Sequence, residues 1–554
     1  MKILGISCHY HESAAALIID GRVVAASAEE RFSRKKHDAR FPQGAIAFCL
    51  AHAGIEAEDL DFVVFYEKPF RKFERNLRMA MRYFPASGGF FAHSMQNALT
   101  EKLWIKSEIA GKLNVDMDKI LFVPQHVAHA AASFYPSPFE TAAVLTLDGV
   151  GEWTTGTMGM AKGHRIYLEK EMRFPHSVGL LYSAFTAFLG FEVNDGEYKV
   201  MGMAAYGKPK YVAKIRRLFT QSQDAALMLD LSYFSFHYSD KRMFTQKFIS
   251  LFAGCDRFDL AASLQVVVED IVMRMAHVLH EQTGQTDLVY GGGVALNSVI
   301  NAALLAKTKF KRVFIYPAAG DDGGAVGAAL YVYHHVLGHK KRYPLKDMFL
   351  GASYTTRSVE DFLNSCGIVY RKVSDVALLG EVTDALIAGK VIGWFEGREE
   401  FGPRALGHRS ILADPKKPAM KDIVNSKIKF REEFRPFAPV ILARHVHTYF
   451  PDSDTLMSPF MLATFHATSK TRQIAAATVH VDGSSRIQIV SKEYKGRYAS
   501  VLENFYKKTG RPILLNTSFN LKGEPIVNTP QNAYDTFMRS GIDMLVIENC
   551  IVEK

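Results

Sequence analysis

Two histidines and two aspartates have residue types and spacing that suit a metal site. His126 and His129 lie three residues apart in the stretch VPQHVAHAAASFYPSPFE, and on a helix they would share one face. Asp148 ends the apolar run AAVLTLD, and Asp321 lies in the glycine-rich run AAGDDGG. Two imidazoles and two carboxylates suit a divalent transition metal such as Fe, Mn or Zn. The structural alternative is a pair of core histidines, a turn aspartate and a helix cap.

A polar loop near the N-terminus could supply a general base. His9 and His11 lie in the segment CHYHES, between the apolar runs KILGIS and AAALII. The ordinary pKa of histidine is near neutral, so His11 could take the proton from an acceptor hydroxyl. The alternative is a surface histidine.

Two glycine-rich loops follow apolar runs and precede small-residue segments that read as helices. The loops are GGGVALN and AAGDDGG, about thirty residues apart. Backbone N–H groups at such a helix start bind anions, so the pair predicts a nucleotide cradle that includes Gly292, Gly293 and Asn297. For GGG alone, a tight turn is the simpler interpretation.

Basic residues cluster in the C-terminal third, interleaved with glycine, proline and aromatic residues. Arginine makes bidentate contacts with phosphate that lysine cannot make, so this run favours polyphosphate binding over a merely solvated face. No signature of an RNA- or DNA-binding protein accompanies the charge. The residues are Arg398, Arg404, Arg409, Lys427, Lys429, Arg431 and Arg435.

The elements that must position these residues indicate an α/β protein. The run KILGIS, AAALII, RVVAASA predicts three strands, and AAVLTLD, WTTGTMGMA, RIYLEKEM repeats the layout. Two copies of one unit predict a duplicated domain like that of the actin/hexokinase-like ATPases. Ala261 to Gly284 has helical periodicity, GHKKRYPLKD is typical of a linker near residue 340, and a second α/β domain follows.

Length and composition agree with a multidomain globular protein. The chain has 554 residues, a net charge of +10 and 48% hydrophobic residues, which predicts two domains, or three. Its five cysteines include no CxxC pair, and no signal peptide or transmembrane segment is predicted, so we expect a cytoplasmic location.

The chain resembles the NodU/CmcH carbamoyltransferases from nearly one end to the other. The last four matching motifs, in their order across two domains, are highly specific. The motifs are YHESAAALIIDGRVVAASAEERFSRKKH, HVAHAAASFYPSPF, LTLDGVGEW, EYKVMGMAAYG, GGGVALN, FGPRALGHRSILADP, FREEFRPFAP and LLNTSFNLKGEPIV.

The resemblance implies a division of labour between two domains. A Kae-type actin-like domain would span residues 1–340, and a YrdC-like domain would span residues 341–554. The second domain would form carbamoyl adenylate from carbamoyl phosphate and ATP, with Mg²⁺. The first would transfer the carbamoyl group to a hydroxyl of a sugar or other natural product. Neither a nucleic acid nor a membrane is expected as a partner.

The resemblance also implies roles for individual residues. His11 corresponds to the histidine that activates the acceptor, and Lys36 should reach from the first domain toward the ligands of the second. His129, Asp148 and Asp321 correspond to metal ligands, with Fe²⁺ as the expected ion. The residues expected to bind carbamoyl phosphate and ATP are Arg404, Lys429, Arg435, Ser518 and, less directly, Arg497.

One position departs from the family pattern of two adjacent histidines, two residues and a third histidine. Gln125 stands where the first histidine belongs, and that histidine would be a metal ligand. An amide oxygen is a poorer ligand for a transition metal. Rotation of His126 into the site, a water molecule or a weak site are the alternatives.

Three other functions are alternatives to carbamoyl transfer. A nucleotide-binding scaffold or chaperone-like ATPase would bind ATP and ignore carbamoyl phosphate. Hydrogenase-maturation enzymes have the two domains in the opposite order with zinc-finger cysteines, which are absent from this sequence. The tRNA threonylcarbamoyl pathway would need contacts with RNA. Contacts with the acceptor are expected in insertions such as Phe70 to Trp104.

Overall fold

A computed structural model describes residues 1–100, 102–491, 493–494 and 496–554. The chain divides into two units, each with its own sheets and core. Unit 1 comprises Met1–Glu29 and Asp38–Lys346, and unit 2 comprises Glu30–His37 and Asp347–Lys554.

Within the described residues, unit 1 contains two five-stranded sheets of the same topology. Its strands are β1 Lys2–Ser7, β2 Ala14–Ile19, β3 Arg22–Ala28, β4 Phe62–Phe65, β5 Ile120–Phe122, β6 Thr141–Leu147, β7 Thr154–Lys162, β8 Arg165–Arg173, β9 Phe219–Gln221, β10 Leu227–Leu229, β11 Asp287–Gly291 and β12 Arg312–Phe314. The sheet orders are β3-β2-β1-β4-β5 and β8-β7-β6-β11-β12, while β9 and β10 form a separate ribbon.

The pairing directions also match between the two sheets. In each, three antiparallel strands are followed by two parallel ones: β1 pairs antiparallel with β2 and parallel with β4, and β6 pairs likewise with β7 and β11. The central strands β1 and β6 are buried along almost their whole length, which explains why both read as continuous apolar runs. The α/β class and the predicted duplication are therefore confirmed.

Helices cover the two sheets of unit 1. The α-helices up to residue 346 are α1 Glu30–Ser33, which belongs to unit 2, and α2 Gln43–Ala53, α3 Pro69–Arg82, α4 Gly88–Thr100, α5 Ile105–Leu113, α6 Gln125–Phe134, α7 Val178–Phe188, α8 Glu197–Ala204, α9 Val212–Ile215, α10 Gln246–Phe252, α11 Arg257–Thr283, α12 Ser298–Lys307 and α13 Asp321–Tyr331. The helix predicted over Ala261 to Gly284 is α11, which Asp256 caps and Gly284 ends in a left-handed conformation.

Helix α13 packs closely against α6, and this contact fixes the position of the candidate site. A Cβ atom on Gly327 would lie 1.9 Å from the carbonyl oxygen of Ala128 in α6. Only glycine allows the two backbones to approach this closely. The contact brings Asp321, at the start of α13, near His129 in α6.

Unit 2 is built on a mixed eight-stranded sheet of the described residues. Its strands are β13 Arg371–Lys372, β14 Ile392–Phe395, β15 Arg409–Ala413, β16 Ala438–Leu442, β17 Thr464–His466, β18 Ser484–Arg486, β19 Gln488–Val490, β20 Ile513–Ser518, β21 Met544–Ile547 and β22 Cys550–Glu553. The sheet order is β13-β22-β21-β14-β15-β20-β16-β19, and β17 pairs with β18 in a separate ribbon.

An apolar core lies on each face of this sheet. Phe395, Phe519 and Phe537 belong to one core, and Trp394 and Phe505 belong to the other. Alternating residues of β14 therefore point to opposite cores. The α-helices of unit 2 beyond α1 are α14 Thr356–Ser365, α15 Asp375–Ile387, α16 Ala419–Val424, α17 Val446–Tyr449, α18 Ser469–Ile474, α19 Arg497–Thr509 and α20 Pro530–Met538.

Among the described residues, none of the helices has the length and apolar character needed to cross a membrane.

Candidate functional site

Unit 1 brings together one predicted histidine and both predicted aspartates. His129 lies in α6, Asp148 follows the last residue of β6, and Asp321 begins α13. His129 Nε2 lies 2.9 Å from Asp148 Oδ2 and 3.5 Å from Asp321 Oδ1. One potential ligand atom from each of the three lies within 4.8 Å of the others, and all three residues form a group that could hold a metal ion.

In this group, the positive charge of His129 and the negative charges of the two aspartates stabilise one another. Burial alone would lower the pKa of His129, but hydrogen bonds and charge from Asp148 and Asp321 raise it to about 10. Burial would raise the pKa of Asp148, but the hydrogen bond and charge of His129 bring it below its ordinary range. Gly149 N also donates to Asp148 Oδ1 at 2.7 Å. The group therefore holds a compact cluster of charge in a buried place.

Gln125 occupies the position between the two carboxylates. Its Nε2 donates to Asp321 Oδ1 at 2.6 Å and to Asp148 Oδ2 at 3.2 Å. Its Oε1 is buried and has no hydrogen-bond partner among the described residues. The side chain that the sequence flagged as a departure thus contacts both carboxylates directly.

His126 lies outside the group. Its Nδ1 is 2.7 Å from the hydroxyl of Thr146, inside β6, and the side chain is buried. Burial, and then the charge of His129, lowers its pKa to about 4, so the ring is neutral at physiological pH. The rotation of His126 toward the metal, which the sequence left open, is not the arrangement observed.

His11 lies at the edge of the same group. Its Nε2 is 3.5 Å from Asp321 Oδ2, and the side chain is 23% exposed, so a substrate could reach it. Tyr66 donates from its hydroxyl to the same Asp321 Oδ2 at 3.4 Å. A carboxylate beside an accessible imidazole can orient the ring for proton transfer.

The first glycine-rich loop contacts this group through its backbone. Gly293 N donates to Asp148 Oδ1 at 3.3 Å. Gly292 has φ of +91°, and a Cβ there would lie 2.3 Å from the carbonyl oxygen of Leu147, so glycine is required. Asn297 caps α12 and exchanges amide hydrogen bonds with Gln265, which gives it a structural role.

Unit 2 contains a separate basic site around Lys429. Its Nζ donates to Ser518 O at 2.7 Å and Oγ at 3.1 Å, and to Asn520 O at 3.0 Å and Oδ1 at 2.7 Å. Burial, and then the charges of Arg431, Arg435 and Lys36, holds the pKa of Lys429 well below its usual range. The structure thus places the predicted residues Lys429 and Ser518 side by side, close to other cations.

Arg486, which sequence reasoning missed, lies close to the arginines of this basic site. Burial lowers its pKa well below the usual range, and Arg404, Arg431 and Arg435 lower it further through their charge. Its Nε is buried and makes no hydrogen bond to any described residue. Half-buried arginines that lie this close together indicate a site for a polyanion. The segment SSRIQIV, in which Arg486 lies, carries no sequence signal for this role.

Three other predicted arginines lie in structural networks. Arg497 Nη2 contacts Glu548 Oε2 at 2.5 Å, and its Nε contacts Glu396 Oε2 at 3.2 Å. Arg409 is fully buried and donates to four backbone carbonyls, and Arg398 donates to two. These guanidinium groups are therefore engaged in holding the fold of unit 2.

Lys36 belongs to unit 2 in the structure, as part of the segment Glu30–His37, whereas the residues before and after that segment belong to unit 1. Its charge contributes to the low pKa of Lys429, so it lies near the basic site.

Two family profiles match the chain. The profile for the carbamoyltransferase N-terminus matches residues 2–330, and the profile for the carbamoyltransferase C-terminus matches residues 383–554. A Synechocystis sp. protein, "Uncharacterized protein sll1178", is 44% identical, with 100% of this chain and 96% of that protein covered.

A named relative and a solved structure extend the comparison. Nodulation protein NolNO of Sinorhizobium fredii is 35% identical over 98% of this chain and 79% of that protein. The crystal structure of HypF from T. kodakarensis aligns with 61% of this chain and 48% of that chain, at 13% identity and a TM-score of 0.34.

Proposed function

Because this chain belongs to the carbamoyltransferase family, we propose that it is an ATP-dependent O-carbamoyltransferase that works through carbamoyl adenylate. In unit 2, water would hydrolyse carbamoyl phosphate to carbamate and inorganic phosphate. The carbamate oxygen would attack the α-phosphorus of ATP, forming carbamoyl adenylate and releasing pyrophosphate, with Mg²⁺ accompanying the nucleotide. The family relationship speaks against a scaffold that only binds nucleotide.

The observation that carries this proposal is the half-buried arginine group around Arg486. Burial lowers the pKa of Arg486, the charges of Arg404, Arg431 and Arg435 lower it further, and Lys429 lies near Arg431 and Arg435. Bound phosphates would neutralise this charge and accept the hydrogen bonds that the guanidinium groups can donate. Two phosphate-containing substrates account for a cluster of this size, and a single small anion does not.

We place the transfer step in unit 1, beside His11. The hydroxyl of the acceptor would attack the carbamoyl carbon, AMP would leave, and His11 Nε2 would take the hydroxyl proton. Asp321, 3.5 Å from that nitrogen, would stabilise the imidazolium that forms. The acceptor we propose is a sugar or another natural product with a free hydroxyl.

The donor atoms of unit 1 fit a divalent cation. His129, Asp148 and Asp321 would hold it. A flip of the Gln125 side-chain amide, which exchanges the positions of Oε1 and Nε2, would turn the unpartnered Oε1 toward the cation. A bound cation would supply positive charge to offset the phosphate of the adenylate. The set of one imidazole, two carboxylates and one amide is rich in oxygen, so Mn²⁺ and Mg²⁺ join Fe²⁺ as candidate ions.

Pyrophosphate release tests the adenylation step. Purified protein is incubated with ATP, carbamoyl phosphate and Mg²⁺, and pyrophosphate is measured against mixtures that lack one substrate. We expect release only when both substrates are present. Release no faster than with heat-inactivated protein, from a sample shown to be folded, would refute the proposal.

Variants test whether the arginine group binds ATP for the adenylation step. Arg486→Ala should weaken ATP binding at least about tenfold, because it removes a buried charge-assisted contact. Lys417→Ala is the matched control, since Lys417 is an exposed cation of unit 2 outside the arginine group, and it should bind ATP like the wild type. His11→Asn should leave pyrophosphate release unchanged and abolish transfer. Equal loss of both activities in His11→Asn would contradict the division of labour.

A further inference from the structure

The segment Glu30–His37 packs within unit 2, while Glu29 and Asp38 on either side of it belong to unit 1. Arg31 makes the first of two sets of contacts that hold this segment in place. Arg31 Nε contacts Glu399 Oε1 at 2.7 Å, and Arg31 Nη2 donates to Gly402 O at 3.0 Å. Both side chains are buried, 4% and 1% exposed, so this contact is shielded from solvent.

Arg34 makes the second anchor. Its Nη1 donates to Ile526 O at 2.7 Å, and its Nη2 donates to Pro525 O at 2.8 Å. Both ends of the guanidinium are thus fixed on neighbouring carbonyls, a geometry that the single ammonium of lysine cannot reproduce.

The segment also closes on itself. His37 N donates to Glu30 Oε2 at 3.0 Å, which joins the two ends of the segment. Lys36 therefore lies between Arg34, which is anchored, and His37, which is held by Glu30. These contacts restrict the backbone from which the Lys36 side chain extends.

The anchors of Arg34 belong to the loop that surrounds Lys429. Asn520 accepts from Lys429 Nζ and donates from its Nδ2 to Glu524 O at 2.7 Å, directly before Pro525. Lys36, Lys429, Arg431 and Arg435 carry like charges near one another, and they repel when no anion is bound. The contacts of Arg31 and Arg34 oppose this repulsion, because they fix the segment that carries Lys36.

We propose that Arg31 and Arg34 are positioning residues that hold Lys36 in the phosphate-binding site of unit 2. The ligand chemistry is that of a phosphate oxyanion, supplied by ATP or carbamoyl phosphate. This inference rests on the proposed function, because it gives Lys36 a bound phosphate to contact. In this role the two arginines would bind protein groups, and Lys36 would contact the phosphate.

A double-mutant cycle between Arg34 and Lys36 tests the inference on the intact protein. The dissociation constant of ATP is measured by titration calorimetry for the wild type, Arg34→Ala, Lys36→Ala and the double variant. If Arg34 acts through Lys36, each single change weakens binding about tenfold, and the double change weakens it no further than the worse single one. Arg34→Lys should recover only part of the loss.

Arg40→Ala is the matched control. Arg40 is an exposed arginine in unit 1 that pairs with Asp38, and its loss should leave ATP affinity unchanged. Wild-type affinity in Arg34→Ala, or independent losses that multiply in the double variant, would overturn the inference. A wild type that binds ATP but releases no pyrophosphate would instead refute the proposed function.

Hydrogen exchange tests the role of Arg31 with a conservative variant, in case the alanine variants fold poorly. Hydrogen exchange of the Glu30–His37 amides is followed in wild type and in Arg31→Lys, with and without ATP. We expect faster exchange in the variant and partial recovery of protection with ATP. Exchange equal to that of the wild type in both conditions would count against a positioning role for Arg31.

Discussion

Gln125 donates hydrogen bonds to both carboxylates of the candidate metal site in unit 1. Its Nε2 donates to Asp148 and Asp321, while its Oε1 is buried without a partner among the described residues. Imidazole is a stronger ligand than carboxamide for transition metals. We therefore expect Gln125→His to raise affinity for Fe²⁺ and Zn²⁺ by about tenfold or more, and for Mg²⁺ little, as measured by calorimetry and by the metal content of purified protein.

Two controls make this result specific. Gln125→Ala should remove the amide contacts without adding a ligand, so it should not gain affinity for Zn²⁺. Asp321→Asn should lose most metal binding in either background, because it removes one of three clustered ligands. Equal metal affinity in Gln125→His and wild type would show that this position does not limit the site.

The raised pKa of Glu399 predicts that the stability of the protein depends on pH. Burial raises its pKa to about 7, even though Arg31 and Arg409 lower it by their charge, and Glu400 raises it. A carboxyl group whose pKa is raised on folding binds more protons in the folded state between its two pKa values. The free energy of unfolding therefore falls as pH rises from about 4.5 to 7, by on the order of 3 kcal/mol.

Chemical denaturation at several pH values checks this prediction. Glu399→Gln cannot ionise, so the difference in unfolding free energy between wild type and variant should shrink or reverse as pH rises across that window. Glu503→Gln, on the exposed face of α19, is a control that should not change the slope there. A wild-type slope equal to that of Glu399→Gln would contradict the raised pKa.

At the scale of elements, the C-terminus of helix α6 is held by one arginine. Arg342 donates from Nη2 to Phe134 O at 2.5 Å and from Nη1 to Phe139 O at 2.6 Å, with its guanidinium 4.0 Å from the Phe134 ring centre. Burial lowers its pKa to about 10, so it remains charged at neutral pH. A cation at a helix C-terminus satisfies carbonyls that lack helical partners.

Removal of this contact should weaken unit 1. We expect Arg342→Ala to lower the unfolding free energy by about 2–4 kcal/mol, because several buried carbonyls lose a charged donor. Thermal denaturation followed by circular dichroism measures the loss, and Arg342→Lys should recover part of it. Lys340→Ala, an exposed cation two residues earlier, should have no effect. An unchanged melting temperature in Arg342→Ala would contradict this role.

The same elements show what local patterns predict. The duplicated strand order follows from apolar runs and turns, and α11 follows from its periodicity and its terminal Gly284, all of which are local signals. The close approach of α13 to α6 through Gly327 is a contact between distant segments. No local pattern predicts which small residue will meet which backbone.

At the scale of the whole molecule, the two units have separate cores and separate candidate sites. In calorimetric heating, ATP should therefore raise the temperature at which unit 2 unfolds, because the basic site lies in that unit. At about 100 times its dissociation constant, a ligand adds about 2.7 kcal/mol to the stability of the state that binds it. Arg486→Ala should abolish the shift. Unfolding temperatures that do not change with ATP would contradict an ATP site in unit 2.

The sequence by itself determined the α/β class, the duplication, the carbamoyltransferase family and the residue types of both sites. These follow from periodicity, glycine and proline positions, and motifs that are contiguous in the chain. It also pointed to His129, Asp148 and Asp321, which the fold brings within reach of one another.

Only the tertiary structure decided which basic residues come together. Arg486 joins Arg404 and Arg435 although it lies in a segment without a motif, while Arg497 pairs with Glu396 and Glu548. It also decided that the segment Glu30–His37 belongs to unit 2. The physical reason is that charge clustering depends on contacts between residues far apart in the chain, and spacing along a sequence does not encode those distances.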